Sequence, residues 1–204
     1  PLCSFNSVNS AARLGGKTGA FDYVVTATMV STDGQPNARG GSRDLGSDTA
    51  AFGFVGNLQA TDNLSFGVVA RYSENSGDFN GTEGDTTSPN FGQIIDSPGR
   101  GFENQGLYGL VKAELDLMDG RWSHRASAQF ANSERRGFSG GSQSSGSIGK
   151  RLNGSYETTA KFTGGALEHR VTFVTDIERE TYRNDDPSGF AFTGERSNEN
   201  LGLV

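Results

Sequence analysis

Along most of the chain, apolar and polar residues alternate with a period of two, and helical periodicity is weak throughout. In residues 21–30 one parity reads Phe21, Tyr23, Val25, Ala27, Met29 and the other Asp22, Val24, Thr26, Thr28, Val30. The split recurs at 64–73, with Leu64, Phe66, Val68, Ala70, Tyr72 against Ser65, Gly67, Val69, Arg71, Ser73. It recurs at 107–117, with Leu107, Gly109, Val111, Ala113, Leu115, Leu117 against Tyr108, Leu110, Lys112, Glu114, Asp116. Trp122, Ala126, Ala128, Phe130, then Leu152, Tyr156, Ala160, Phe162, then Leu167, Val171, Phe173, Ile177 continue it. Successive side chains of a strand point to opposite sides, so each segment predicts a strand with one apolar and one largely polar face. Val24, Val30, Val69 and Leu110 are the exceptions, apolar residues on the polar parity.

The connections add direction. Short turns are expected at 15–19, 61–63, 118–120 and 163–165, and long polar stretches at roughly 32–49, 75–103, 136–149 and 184–193. They alternate strictly, which in an up-and-down meander puts all short turns at one rim and all long loops at the other. Outer-membrane barrels have that asymmetry, with short periplasmic turns and long extracellular loops. The alternating stretch Leu167–Ile177, at ~3.3 Å per residue and a tilt near 40°, covers roughly 25–30 Å, the height of a barrel's apolar band. Phe21, Tyr23, Phe66, Trp122 and Phe162 fall beside the short turns, where an interfacial aromatic girdle belongs. The expected fold is therefore all-β: an antiparallel up-and-down meander forming the partial wall of a transmembrane outer-membrane β-barrel. About nine strands are predicted, with approximate centres at residues 10, 25, 55, 68, 110, 128, 157, 172 and 200.

Composition narrows the reading. Only 33% of the 204 residues are hydrophobic and 30 are Gly, which fits either disorder or a β-protein with a solvated face and long loops. The 14 Phe and 5 Tyr, patterned as above, exclude disorder. A net charge of −6 argues against nucleic acid as a partner. One cysteine, Cys3, makes neither a disulfide framework nor a metal cluster. No run of ~18 apolar residues predicts a membrane helix. The chain begins without Met and stops at Val204 in an extended-looking segment, so 1–204 is expected to be a fragment of one barrel domain.

Candidate chemistry is sparse. His124 and His169 both follow a short turn on the apolar parity, which places them at headgroup level rather than in a metal site. The run from Gly140 to Lys150 looks faintly phosphate-cradling, but it lacks the first Gly of the required spacing and Lys150 precedes Arg151 rather than Ser or Thr; it is expected to be a flexible loop. Asp78, Glu83 and Asp85 could approach a Ca²⁺, although no EF-hand spacing is present. No catalytic constellation stands out, so the chain is not expected to be an enzyme. No cofactor, no metal and no assigned ligand-binding residue is expected. Arg71, Lys112, Glu114, Arg125, Glu157, Lys161, Glu168, Arg170 and Asp176 lie on the polar parity, a mixed-charge face suited to lining a lumen or holding a polar plug.

The hairpin Gly15-Gly16-Lys17-Thr18-Gly19-Ala20-Phe21-Asp22-Tyr23, the loop entry Asp33-Gly34-Gln35-Pro36-Asn37-Ala38-Arg39, the long hairpin at 104–135 and the re-entry Arg196-Ser197-Asn198-Glu199-Asn200-Leu201-Gly202-Leu203 resemble the TonB-dependent outer-membrane receptors. The likeness is to the early barrel after the plug, and it implies that the plug domain and the C-terminal barrel strands are absent from residues 1–204. It implies a Gram-negative bacterium's cell outer membrane, outer-membrane lipid around the wall, and a small-molecule ligand at the extracellular loops, especially 32–49 and 75–103. It also implies energised import of a siderophore, cobalamin or similar scarce ligand, through a TonB energy-transducing complex that would engage the missing plug. A non-energised porin-like barrel, a soluble ligand-binding β-domain and a surface adhesin are the alternatives.

Overall fold

The computed structural model describes residues 4–165, 167–187 and 192–203. After a single 3-10 turn at Ser4–Asn6, the chain is strand and connection throughout, with no α-helix among the described residues. The strands are β1 (Val8–Thr18), β2 (Phe21–Thr32), β3 (Ser47–Thr61), β4 (Leu64–Asp78), β5 (Gly81–Thr82), β6 (Ile94–Ile95), β7 (Gly101–Leu117), β8 (Trp122–Ser139), β9 (Ser142–Gly164), β10 (Leu167–Asn184) and β11 (Thr193–Leu203). Nine of them form one antiparallel sheet in the order β1-β2-β3-β4-β7-β8-β9-β10-β11, while β5 and β6 pair as a separate two-stranded ribbon. The meander and the nine strands agree with the expectation from the sequence. The sheet is open, with β1 and β11 at its edges.

The register shows why alternation was informative. Phe21 pairs with Leu58, Leu58 with Phe66, Phe66 with Ala113, Ala113 with Ala126, and Ala126 with Tyr156. Directly opposed residues share a face, so Phe66, Val68, Val111, Ala113, Phe130, Tyr156, Val171 and Phe173 all lie on one side of the sheet. Arg71, Lys112, Arg125, Glu157, Lys161 and Arg170 lie on the other. A single layer cannot bury either side. No hydrophobic residue among those described is buried, and Val111, Phe162, Leu152 and Ile177 on the apolar face are more than half exposed.

Four connections differ from the sequence reading. Gly15–Thr18 belong to β1, and the first turn is only Gly19-Ala20, because Gly16 is backed by the Tyr23 ring and pairs as an ordinary strand residue. The long loops at 32–49 and 75–103 are shorter than expected, at 33–46 and 79–100, as polar residues at both ends continue the ladders. The expected loop at 136–149, with its phosphate-like glycines, is a tight hairpin: Ser139 pairs with Ser142 across Gly140-Gly141. Both glycines have positive φ, 60° and 79°, the backbone of a two-residue turn that matches strand twist. Gly- and Ser-rich composition resembles a loop, but ladder hydrogen bonds do not require apolar side chains. β9 consequently runs 23 residues, about 75 Å at ~3.3 Å per residue, so its upper part stands well beyond any apolar band.

Candidate functional site

At the short-turn end, the apolar face carries a band of ring contacts. Phe21 stacks with Tyr23 at 5.9 Å, Trp122 meets His124 at 4.7 Å, His124 meets Tyr156 at 6.1 Å, and Phe162 stacks on His169 at 5.3 Å. Trp122 Nε1 donates to Thr158 Oγ1 at 2.9 Å, and His124 Nδ1 lies 2.8 Å from the Tyr156 hydroxyl. Both histidines are thus members of an amphipathic aromatic belt, apolar in body and polar at the tip. The sequence set both just past a short turn on the apolar parity; the His124–Tyr156 contact was not visible there, because the two are 32 residues apart and meet only through the β8–β9 register.

The polar face is charged and only in part self-compensated. Lys112 pairs with Glu114 and Arg125 with Glu157, each at 3.1 Å. Toward the long-loop end, Arg151 and Arg196 share Glu178 and Glu180, a network across β9, β10 and β11 that alternation alone did not reveal. Arg71, Lys161, Glu168, Arg170 and Asp176 take part in no ion pair among the described residues. Lys161 and Arg170 are directly opposed.

At the long-loop rim the two longest connections are bound together. Arg43, from the 33–46 loop, donates to the Phe79 and Arg100 carbonyls at 3.0 and 2.9 Å, and to Asn80 Oδ1 at 3.1 Å. It also forms an ion pair with Asp78 at 2.8 Å, and only 18% of its side chain is exposed. Asp96 Oδ2 accepts the Ser42 amide at 3.0 Å, and Asn80 Nδ2 donates to Asn37 Oδ1 at 3.0 Å. The β8–β9 hairpin leans on the same assembly, its Gly141 amide donating to the Gly99 carbonyl at 3.0 Å. Loops that composition suggests are mobile are therefore a folded rim. Phe79, Phe91 and Ile94 remain substantially exposed on it.

Asp78, Glu83 and Asp85 are not brought together as ligands. Asp78 is engaged by Arg43, and Asp85 accepts the Thr87 hydroxyl and amide at 2.7 and 2.8 Å. Those two bonds stabilise the carboxylate, hydroxyl bond first, and hold its pKa below the ordinary value. Among the described residues, no group of three His, Cys, Asp or Glu could hold a metal ion. Compared with known proteins, the chain matches no family model and no curated sequence.

Proposed function

We propose that this chain is wall and loop rim of an outer-membrane β-barrel. By its resemblance to TonB-dependent receptors, we propose further that the parent protein binds a scarce small ligand at the rim and imports it. The observation that carries the wall reading is the slant of the apolar band across the ladder. The lower edge of the band begins at Phe21 on β2, whose hydrogen-bonded row reaches Ala126 on β8 and Tyr156 on β9. Yet the aromatic residues at the lower edge of those strands are Trp122 and Phe162, four and six residues nearer the short turns. The band therefore slips about one residue per strand. With ~3.3 Å per residue and ~4.8 Å between strands, that slip means strands inclined roughly 35–40° to the band normal. Membrane barrels tilt their strands by roughly 35–45°. A one-sided apolar face with that slant, left wholly unburied, suits a lipid surround.

The chain's only tryptophan supplies the test. Trp122 lies on the apolar face near the short turns, so in vesicles containing brominated lipid its fluorescence is expected to be quenched, and aqueous iodide is expected to quench it weakly. Strong iodide quenching with no effect of brominated lipid refutes the wall reading. Receptor function is tested separately by deleting residues 80–98 in the full-length protein. Loss of ligand binding with normal barrel assembly supports a rim site, and unchanged binding removes the loop from the mechanism.

A further inference from the structure

The apolar residues that interrupt the polar face are not scattered. Val24 pairs with Val55, Val55 with Val69, and Val69 with Leu110, so four strands contribute one continuous apolar row at a single level. Three of these, Val24, Val69 and Leu110, break the alternation of the sequence. The row immediately on the long-loop side contains Gly53 opposite Arg71, Arg71 opposite Tyr108, and Tyr108 opposite Ala131. Val69, Arg71, Gly106, Tyr108, Leu110 and Ala131 line a hollow of about 540 Å³.

Arg71 is what makes the hollow chemically specific. It is exposed and has no ion-pair partner among the described residues, whereas Lys112 and Arg125 on the same face each have a carboxylate. Its cross-strand neighbours supply none: Gly53 has no side chain and Tyr108 carries a neutral hydroxyl. The Tyr108 hydroxyl stands 3.5 Å from Gln129 Oε1, the outer limit of a hydrogen bond, and is available to a better acceptor. An apolar floor gains from covering by hydrocarbon, and a planar guanidinium at its rim favours a carboxylate held by two parallel N–H bonds.

We propose that this hollow binds a small organic carboxylate with an aromatic or aliphatic body: the body on Val69 and Leu110, the carboxylate on Arg71 and the Tyr108 hydroxyl. The site depends on the wall reading in one respect, that the polar face is the solvated one.

The test uses 2-naphthoate and its uncharged analogue 2-naphthylmethanol, titrated against the chain in lipid vesicles with empty vesicles as reference. Saturable 2-naphthoate binding is expected, weakened about tenfold or more by Arg71→Gln, because the charge-assisted pair is lost. Leu110→Gln weakens the same binding, Leu110→Met retains it, and Lys161→Gln, an unpaired cation elsewhere on the face, leaves it unchanged. Circular dichroism confirms that each variant keeps its strand content. The proposal is overturned if 2-naphthoate binds no better than to empty vesicles, if Arg71→Gln and Lys161→Gln act alike, or if 2-naphthylmethanol binds equally well. Trp122 quenching by brominated lipid, measured on the same samples, separates the failures. If it persists while 2-naphthoate does not bind, only the carboxylate site falls; if it too is absent, the wall reading falls.

Discussion

The apolar face is built alike from β2 to β10, whereas the polar face divides in two at one hydrogen-bonded level. On β2, β3, β4 and β7 that level reads Val24, Val55, Val69, Leu110; on β8, β9, β10 and β11 it continues as Gln129, Asn153, Glu178, Asn198. The ladder passes without interruption from one half to the other, so the backbone does not dictate the difference. A face that meets a uniform apolar medium is held nearly uniform, because a polar side chain in lipid is costly unless a neighbour satisfies it. A face that meets water and particular partners can differ from place to place. One half gathers ion pairs around Glu178, and the other leaves an apolar floor beside an unpaired arginine.

The sharpest way to break this contrast uses two valines three residues apart on β10. On the proposed wall reading, Val171→Lys, on the apolar face, is expected to cost roughly 2–4 kcal/mol in the parent barrel, because the bilayer midplane lacks water. Val174→Lys, on the polar face opposite Glu157, is expected to stay within about 1 kcal/mol of wild type. Urea titration in lipid vesicles measures both, and equal costs would show that the faces do not meet different media.

A smaller effect is expected at the charged half of the polar face. Glu178→Ala removes the carboxylate that Arg151 and Arg196 share, and should cost about 1 kcal/mol, limited because both arginine side chains are more than half exposed. The readout is a lowered urea midpoint at unchanged slope. Leu110→Ala, on the apolar half, should shift that midpoint less, since Leu110 supports no packed core in the described sheet.

At the rim the expected effect is local. Arg43→Ala should raise hydrogen exchange in 37–46 and 79–97 together while leaving β7–β10 unchanged, since one guanidinium holds both loops. Exchange rising in only one loop would mean that the loops are independent.

The smallest effect is a pH response. The folded pKa of Asp85 is depressed, so its bonds to Thr87 contribute above the unfolded carboxylate's pKa and are lost as pH falls through the lower, folded value. Protection of the Thr87 amide should decline in that acidic window, and Asp85→Asn should abolish the pH dependence.

How much of this was legible beforehand depended on whether the signal was local. Side-chain alternation is a property of each strand, so class, the nine strands of the meander and the sorting of Phe66 and Val171 away from Arg71 and Arg170 could all be read from residue order, whereas the two-residue strands β5 and β6 are too short to show a period. The hairpin at Gly140-Gly141 could not, because Gly- and Ser-rich residues make the same ladder hydrogen bonds as Val and Ile while looking like a loop in composition. The ordered rim was equally hidden, since Arg43 reaches partners 35 to 57 residues away in sequence.

The sequence by itself determined which residues share a face, because the two-residue period is set by backbone geometry within each strand. Tertiary structure alone decided which strands' residues stand level with one another. Register is fixed by turn length and by pairing between distant segments, and it turned isolated exceptions such as Val24, Val69 and Leu110 into one row beside Arg71.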